Sequence, residues 1–247
     1  MSDVIARDIE YWDEGTRLLG HLCAPAGGRT GAAVLLLPDA YGVTKHMIGT
    51  AQRLAEQGHP VFVADLWGEG LLPADQREFG PLIAAMAADR PRWMRRVRAA
   101  HRALLEQPET GAAPVAVLGY CFGGSSALEY TRTGHEVAGV IGIHPGLDTV
   151  APDWSAAGPA PVLLCVGDGD PMGTAAMRSA LTTAMTGAGT DWQLHLYGDT
   201  VHAFTSPHAK DSPRPDVVAY SARSTARAWD TTLRFLHGTD PARTPTH

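Results

Sequence analysis

The sequence has 247 residues, of which 45% are hydrophobic and 19% are charged, and its formal net charge is -6. A chain of this length can bury the core of one α/β domain, so we expect a single domain over residues 1–238 and a flexible tail over 239–247. The negative charge gives no long-range attraction to nucleic acid. Residues 1–10 lack the pattern of a signal peptide or membrane span, which predicts a cytoplasmic protein without a membrane partner.

The predicted strands begin with an antiparallel hairpin. Residues 8–11 and 18–22 flank the turn Asp13-Glu14-Gly15, which is typical of two paired strands. Short runs rich in Val, Leu and Ile follow at residues 32–37, 61–64, 115–118, 137–143, 162–166 and 193–197. Runs of this kind indicate parallel strands that are buried on both faces.

Helical patterns separate these strands. They cover residues 44–57, 91–107, 124–133, 174–186 and about 220–236. The first four are closed by glycine or proline, the usual stop signals for a helix. Strands that alternate with helices predict a mostly parallel, doubly wound α/β sheet. Residues 67–90 are the least regular long stretch, so we expect a loop there that forms a short wall or flap.

One apolar run ends in a motif that predicts a nucleophile. After residues 115–118 comes Gly-Tyr-Cys-Phe-Gly-Gly at 119–124, the GxCxG form of a nucleophile elbow, which turns a strand sharply into a helix. Gly119 and Gly123 allow the strand and helix to approach closely. The alternative is that Cys121 is a buried cysteine in a glycine-rich turn. Cys23 and Cys165 lie in apolar runs and are expected to be reduced core residues.

Further candidates follow later strands, as the order nucleophile, acid, histidine requires. Asp168 and Asp170 follow the run at 162–166, and His202 follows the last run. The carboxyl ends of parallel strands line one crevice, so we expect these residues to converge with Cys121. A histidine activates a thiol by accepting its proton, a helix N-terminus assists, and a carboxylate fixes the imidazole.

Each candidate has a competitor. Asp170 is favoured over Asp168 because it lies deeper in the loop and precedes Pro171, but either aspartate could cap the next helix. His144 ends the run at 137–143 and is the rival of His202. Its position in the chain order is wrong for a triad, so we interpret it as a structural histidine.

Four motifs together resemble the dienelactone hydrolase family of α/β-hydrolases. They are Pro-Asp-Ala-Tyr-Gly at 38–42, Gly-Tyr-Cys-Phe-Gly-Gly at 119–124, Gly-Asp-Gly-Asp-Pro at 167–171 and Val-His-Ala-Phe-Thr at 201–205. The resemblance extends from the hairpin to the final helix. It implies an α/β-hydrolase fold without a large cap domain.

The resemblance also implies roles for individual residues. Cys121 is the nucleophile, Asp170 the orienting acid and His202 the base, in agreement with the chain order. The backbone N–H groups of Ala40 and Phe122 form the oxyanion hole. Such donors typically contribute several kcal/mol at the transition state.

Two positions depart from the family pattern. Asp39 stands where the family usually has a glutamate that contacts the resting thiol; a cap on the helix near Thr44 is the alternative role. Ser206 stands four residues after the histidine, where enzymes acting on dienelactone usually have an arginine for the substrate carboxylate. Arg77 could supply another arginine, although a surface ion pair is the favoured interpretation.

We therefore predict a hydrolase of a small ester or lactone that forms a cysteine acyl-enzyme without a metal or organic cofactor. Tyr41, Trp67, Tyr120 and Phe122 are expected pocket walls, with ordinary core packing as the alternative. The oligomeric state is expected to be a monomer or a small homo-oligomer. One alternative is a thiol sensor or binding module on this fold. A lower-ranked one is a metal-assisted hydrolase, for which the candidates show no recognised ligand spacing: His144, Asp168, Asp170, Asp199 and His202.

Overall fold

The computed structural model describes residues 3–239, in which eight β-strands and six α-helices occur. The chain divides into two compact units, Met1–Val117 and Leu118–His247. The single domain over residues 1–238 stays a prediction. Most of the predicted tail, residues 240–247, lies outside the described residues, and Thr239 is the last residue of the C-terminal cap.

The first unit contains the predicted hairpin. β1 (Val4–Asp13) pairs antiparallel with β2 (Thr16–Pro25), and Asp13 lies opposite Thr16. The two-residue turn needs a positive φ, which Glu14 adopts at 52°. β2 also pairs antiparallel with β4 (Val61–Val63), which pairs in parallel with β3 (Ala33–Leu37). Every residue of β3 and β4 is buried, as their uninterrupted apolar runs predict.

The helices of this unit correct one prediction. α1 (Lys45–Glu56) and α3 (Arg90–Leu105) lie within a few residues of their predicted positions. A further helix, α2 (Gln76–Ala88), forms where a loop was predicted. Gly80 and Pro81, two poor helix formers, lie inside α2, and Met86 is its one buried residue, so the segment shows no apolar stripe and carries two signals that usually interrupt a helix.

The second unit carries the remaining strands in the order β5, β6, β7, β8. Their bounds are β5 (Val115–Tyr120), β6 (Gly139–Ile143), β7 (Val162–Gly167) and β8 (Trp192–Tyr197). The division between the units falls within β5. β6, β7 and β8 pair in parallel, so their carboxyl ends lie at one edge. The mostly parallel pairing and the strand–helix alternation confirm the predicted α/β class.

One strand differs from expectation in its burial. β5, β6 and β7 are buried throughout, but most of β8 is partly or fully exposed, and 45% of Leu196 is accessible to solvent. β8 is the last strand of the order, so it has a strand neighbour on one side only. A run of apolar residues in an edge strand has the same sequence signature as one in the centre of a sheet.

Helices follow the strands of the second unit. α4 (Phe122–Arg132) comes directly after β5, α5 (Ala175–Gly187) lies between β7 and β8, and α6 (Ala222–Gly238) is last. Short 3₁₀ segments occur at Leu147–Thr149 and Pro207–Asp211. The candidate residues of this unit lie in the loops after the strands: Cys121 after β5, His144 after β6, Asp168 and Asp170 after β7, and His202 after β8.

Candidate active site

The turn between β5 and α4 holds Cys121 in an unusual backbone conformation. Cys121 has φ 50° and ψ -116° and stands at the N-cap of α4. A non-glycine residue in this region is strained by about 1–3 kcal/mol, and such strain is typical of functional sites. The close approach that causes it is visible at Gly119, where an added Cβ would lie 2.0 Å from the carbonyl oxygen of Gly123. This backbone conformation places the Cys121 side chain at the end of β5, next to the start of α4.

Asp170, His202 and Cys121 form a continuous series of hydrogen bonds. The Oδ2 atom of Asp170 lies 2.8 Å from Nδ1 of His202, and Nε2 of His202 lies 3.1 Å from Sγ of Cys121. The other carboxylate oxygen of Asp170 accepts the N–H of Met172 at 2.8 Å. Asp170 and His202 are almost completely buried, and Cys121 is half-buried. The geometry is therefore that of a nucleophile, base and orienting acid.

The pKa of His202 reflects this environment. Burial disfavours the charged imidazolium and by itself lowers the pKa. The negative charge of the Cys121 sulfur and the hydrogen bonds that the imidazolium donates to Asp170 and Cys121 act in the opposite direction and together raise the pKa of His202 to about 10. The imidazole of His202 is therefore expected to be in its positively charged form at neutral pH, in contact with the Cys121 sulfur.

Backbone contacts hold the loop that carries His202. The N–H of His202 donates to Val217 at 3.1 Å, and the two residues His202 and Val218 form an isolated parallel bridge. Nearer to β7, the N–H of Gly169 donates to the carbonyl of Thr200 at 3.0 Å. These contacts join the acid loop to the histidine loop. The histidine thus reaches the strand ends although β8 is partly exposed.

The structure separates the two candidate aspartates. The Asp168 carboxylate pairs with Arg178 at 3.0 Å, and its side chain is 57% exposed. Asp170 contacts His202. The difference follows the interpretation that Asp170 lies deeper in the loop.

The remaining cysteines are in different surroundings. Cys23 and Cys165 are fully buried and make no disulfide. Burial raises the pKa of Cys23 to about 11 and that of Cys165 to about 12, so both stay protonated at neutral pH. Of the three thiols, the one at Cys121 contacts a histidine.

The first unit carries Asp39 and Ala40 directly after β3. The Asp39 carboxylate accepts the N–H of Tyr41 at 3.0 Å within its own turn. It does not cap α1, whose N-cap is Thr44, so the alternative role for Asp39 is wrong. The Ala40 carbonyl accepts the indole N–H of Trp67 at 3.1 Å. The roles of Asp39 and Ala40 toward the thiol and the oxyanion stay predictions.

The other expected pocket residues differ in exposure. Tyr41 contacts the ring of Phe79 with centroids 5.3 Å apart. Tyr120 is buried at the end of β5. Arg77 is exposed and pairs with Asp75, which is the surface ion pair favoured from the sequence. Ser206 is buried, and its hydroxyl has no hydrogen-bond partner among residues 3–239.

Two residues near these groups were not among the predicted members of the triad or pocket. His144 packs against His202 with ring centroids 5.2 Å apart, but its place in the chain order had set it aside. Asp65 follows β4, and its carboxylate accepts four backbone N–H groups around the loop that carries Trp67. Asp65 meets the criterion used for the other candidates, a polar residue directly after a buried strand.

Residues 3–239 contain no group of three or more His, Cys, Asp or Glu residues arranged to hold a metal ion. No helix within the same residues is long and apolar enough to span a membrane.

Comparisons with known proteins identify the family. The dienelactone hydrolase family model matches residues 19–239. The chain is 28% identical over 245 residues to a probable 2-oxo-3-(5-oxofuran-2-ylidene)propanoate lactonase from Bradyrhizobium sp, covering 95% of each protein. It is 31% identical over 229 residues to carboxymethylenebutenolidase 2 from Cupriavidus pinatubonensis, covering 87% of this chain and 90% of that protein.

A solved structure gives the same result for the fold. The crystal structure of a dienelactone hydrolase-like promiscuous phosphotriesterase from metagenomic libraries matches with a TM-score of 0.89 and 31% identity. The match covers 96% of this chain and 99% of that chain. The predicted α/β-hydrolase fold is therefore confirmed, and the chain belongs to the dienelactone hydrolase family of hydrolases.

Proposed function

We propose that this chain hydrolyses a carboxylic ester or a lactone through a thioester intermediate on Cys121. The observation that supports the proposal is the series of contacts from buried Asp170 through His202 to the Cys121 sulfur, at 2.8 and 3.1 Å. A strained elbow and a histidine that favours its protonated form are what a cysteine nucleophile needs.

Acylation begins with attack of the Cys121 sulfur on the carbonyl carbon. A C–S bond forms, and the electron pair of the C=O bond moves to oxygen. The N–H of Phe122, at the first position of α4, donates to this oxyanion. The family resemblance implies the N–H of Ala40 as the second donor. Removal of one such donor typically costs about 3 kcal/mol of transition-state stabilisation.

The leaving group then departs with a proton from His202. The C–O bond breaks as Nε2 protonates the alkoxide oxygen, and in a lactone the new hydroxyl remains attached to the acyl group. Neutral His202 next takes a proton from water, which attacks the thioester carbon. The thiolate leaves, and the acid product is released. Asp170 orients the imidazole and stabilises its charge without taking the proton.

We further propose that the preferred substrate carries no free carboxylate near the reacting carbonyl. Ser206 replaces the arginine that the family resemblance implies for carboxylate recognition, and a hydroxyl cannot form a bidentate ion pair. Arg77 is paired with Asp75 at the surface. The relatives named as a lactonase and a carboxymethylenebutenolidase support a lactone as one substrate class. The substrate in the first name is a propanoate, which carries a carboxylate, so we propose that this chain differs from that relative at the carboxylate-binding position.

The test is a substrate panel measured with matched variants. The panel contains p-nitrophenyl acetate, its carboxylate-bearing succinate analogue, dienelactone and a phosphotriester. Wild-type protein should hydrolyse the neutral ester with the higher kcat/KM, and Cys121→Ala and His202→Ala should lose this activity. Full activity in Cys121→Ala would refute the nucleophile, EDTA sensitivity would favour a metal route, and absence of turnover across the panel would favour a thiol sensor.

A further inference from the structure

His144 is held in a strained conformation directly after β6. Its φ is 39°, in the left-handed region, and it precedes Pro145, which further restricts the backbone. The side chain is 1% exposed, and the backbone N–H donates to the carbonyl of Cys165 at 2.8 Å. Strain at a buried, non-glycine residue persists only where the surrounding contacts require it, and it is concentrated at functional sites. The interactions that hold this strained conformation are therefore expected among the contacts of the His144 side chain.

Three of those contacts are made with one short segment, residues 202–205, here called the base segment, and the ring also makes an edge contact with Tyr120, 6.0 Å away. Nε2 of His144 lies 2.8 Å from the hydroxyl oxygen of Thr205. The His144 ring makes edge contacts with the rings of His202, 5.2 Å away, and Phe204, 5.1 Å away. One side chain thus contacts three of the four residues of the base segment.

The contacts of His144 restrain a motion of the His202 ring that the hydrogen bonds of the triad leave free. Asp170 and Cys121 bind opposite nitrogens of the His202 ring, which leaves the ring able to tilt about the line between those nitrogens. Backbone bonds such as that from Ser221 to the Phe204 carbonyl at 2.9 Å fix the main chain of the segment. A ring packed at 68° to the imidazole opposes the tilt.

We propose that His144 is a positioning residue that holds the base segment through Thr205, Phe204 and the His202 ring. It thereby keeps Nε2 of His202 directed at the Cys121 sulfur. The inference rests on the proposed cysteine mechanism. Misplacement of a catalytic group by about 1 Å can reduce the rate about 100-fold, so loss of one of these contacts should reduce turnover.

The test uses variants that remove the Thr205 contact from either side. His144→Phe keeps an aromatic ring of similar size but cannot bond to Thr205, and Thr205→Val removes the hydroxyl with little change of shape. Each should lower kcat about 10-fold with KM nearly unchanged, and the double variant should be no worse than either single variant. The rate of Cys121 alkylation by iodoacetamide should fall in parallel.

The control is Thr131→Val, which removes a buried hydroxyl in α4 that has no hydrogen-bond partner in residues 3–239. It should leave kcat and the alkylation rate unchanged. If His144→Phe does not fold, Thr205→Val decides alone. Wild-type kcat in Thr205→Val, or a lowered unfolding midpoint without a change in kcat, overturns the inference while the cysteine mechanism stands. Activity that survives Cys121→Ala refutes the mechanism and the inference with it.

Discussion

The three cysteines differ in what surrounds their sulfur atoms, and this gives a direct prediction. Cys121 contacts His202, whereas burial raises the pKa of Cys23 to about 11 and that of Cys165 to about 12. Because the thiolate is the reactive form, one thiol per folded chain should react rapidly with Ellman's reagent at neutral pH. The rapid phase should vanish in Cys121→Ala. In unfolded wild-type protein, all three thiols should react in the rapid phase. A rapid phase that persists in Cys121→Ala would show that another thiol is reactive.

The raised pKa of His202 links stability to pH. A group whose pKa is raised on folding stabilises the native state fully below its unfolded pKa of about 6.5, and the contribution is lost as pH rises toward about 10. The difference in free energy of unfolding between wild type and His202→Gln should therefore shrink across this range. Urea denaturation at both ends of the range measures it. A difference that grows with pH would contradict a raised pKa for His202.

For single residues, the sequence predicted which residues lie at the ends of the strands better than it predicted which side chains contact each other. Chain order and a place after a strand were enough to select Asp170 and His202, which the structure brings together. The same rule set His144 aside, because its contact with Thr205 joins residues 61 positions apart and leaves no local pattern. Asp65 lacked a motif, since its partners are backbone N–H groups that any sequence supplies.

The elbow between β5 and α4 leaves no room for an added methyl group at Gly119. Alanine at Gly119 would bring its Cβ to 2.0 Å from the Gly123 carbonyl oxygen, so Gly119→Ala should destabilise the protein by several kcal/mol or prevent folding. Gly49 is the matched control, because it lies within α1 and an added Cβ meets nothing within 4 Å. Gly49→Ala should stabilise by about 0.5–1 kcal/mol. Thermal unfolding of both variants tests this, and equal effects would contradict it.

The loop after β4 supports a second prediction at this scale. Asp65 holds the backbone of the loop, and Trp67 donates its indole N–H to the Ala40 carbonyl at 3.1 Å. If Ala40 supplies an oxyanion donor, Trp67→Phe should lower kcat about 10-fold with little change in KM. Trp192→Phe, which removes the indole hydrogen bond from Trp192 on β8 to Thr186 in α5, should leave kcat unchanged. Equal kcat in both variants would argue against the Ala40 role.

Local signals explain which elements the sequence predicted correctly. Apolar runs and glycine stops indicated every strand and all helices except α2, which contains Pro81 and buries Met86 alone. The exposure of β8 depends on its place at the end of the strand order, which is a tertiary property. Periodicity therefore predicts that an element exists more reliably than how deeply it is buried.

For the whole molecule, the family motifs carry information that periodicity lacks. Strand–helix alternation predicted an α/β class shared by many unrelated activities. The four motifs narrowed this class to the dienelactone hydrolase family, and the family match over residues 19–239 confirms it. Under the proposed function, the choice of substrate depends on side chains such as Ser206, at which this chain departs from the pattern that the family resemblance implies.

The most direct test of the cysteine mechanism is to locate the acyl group during turnover. Wild-type protein is mixed with p-nitrophenyl acetate, quenched in acid during the steady state, digested and analysed by mass spectrometry. The cysteine mechanism predicts one acetyl group on the peptide that contains Cys121, removable by hydroxylamine, and neither acetylation nor turnover in Cys121→Ala. Hydrolysis at the wild-type rate by Cys121→Ala, or an acetyl group on a different residue that turns over at the steady-state rate, would contradict it.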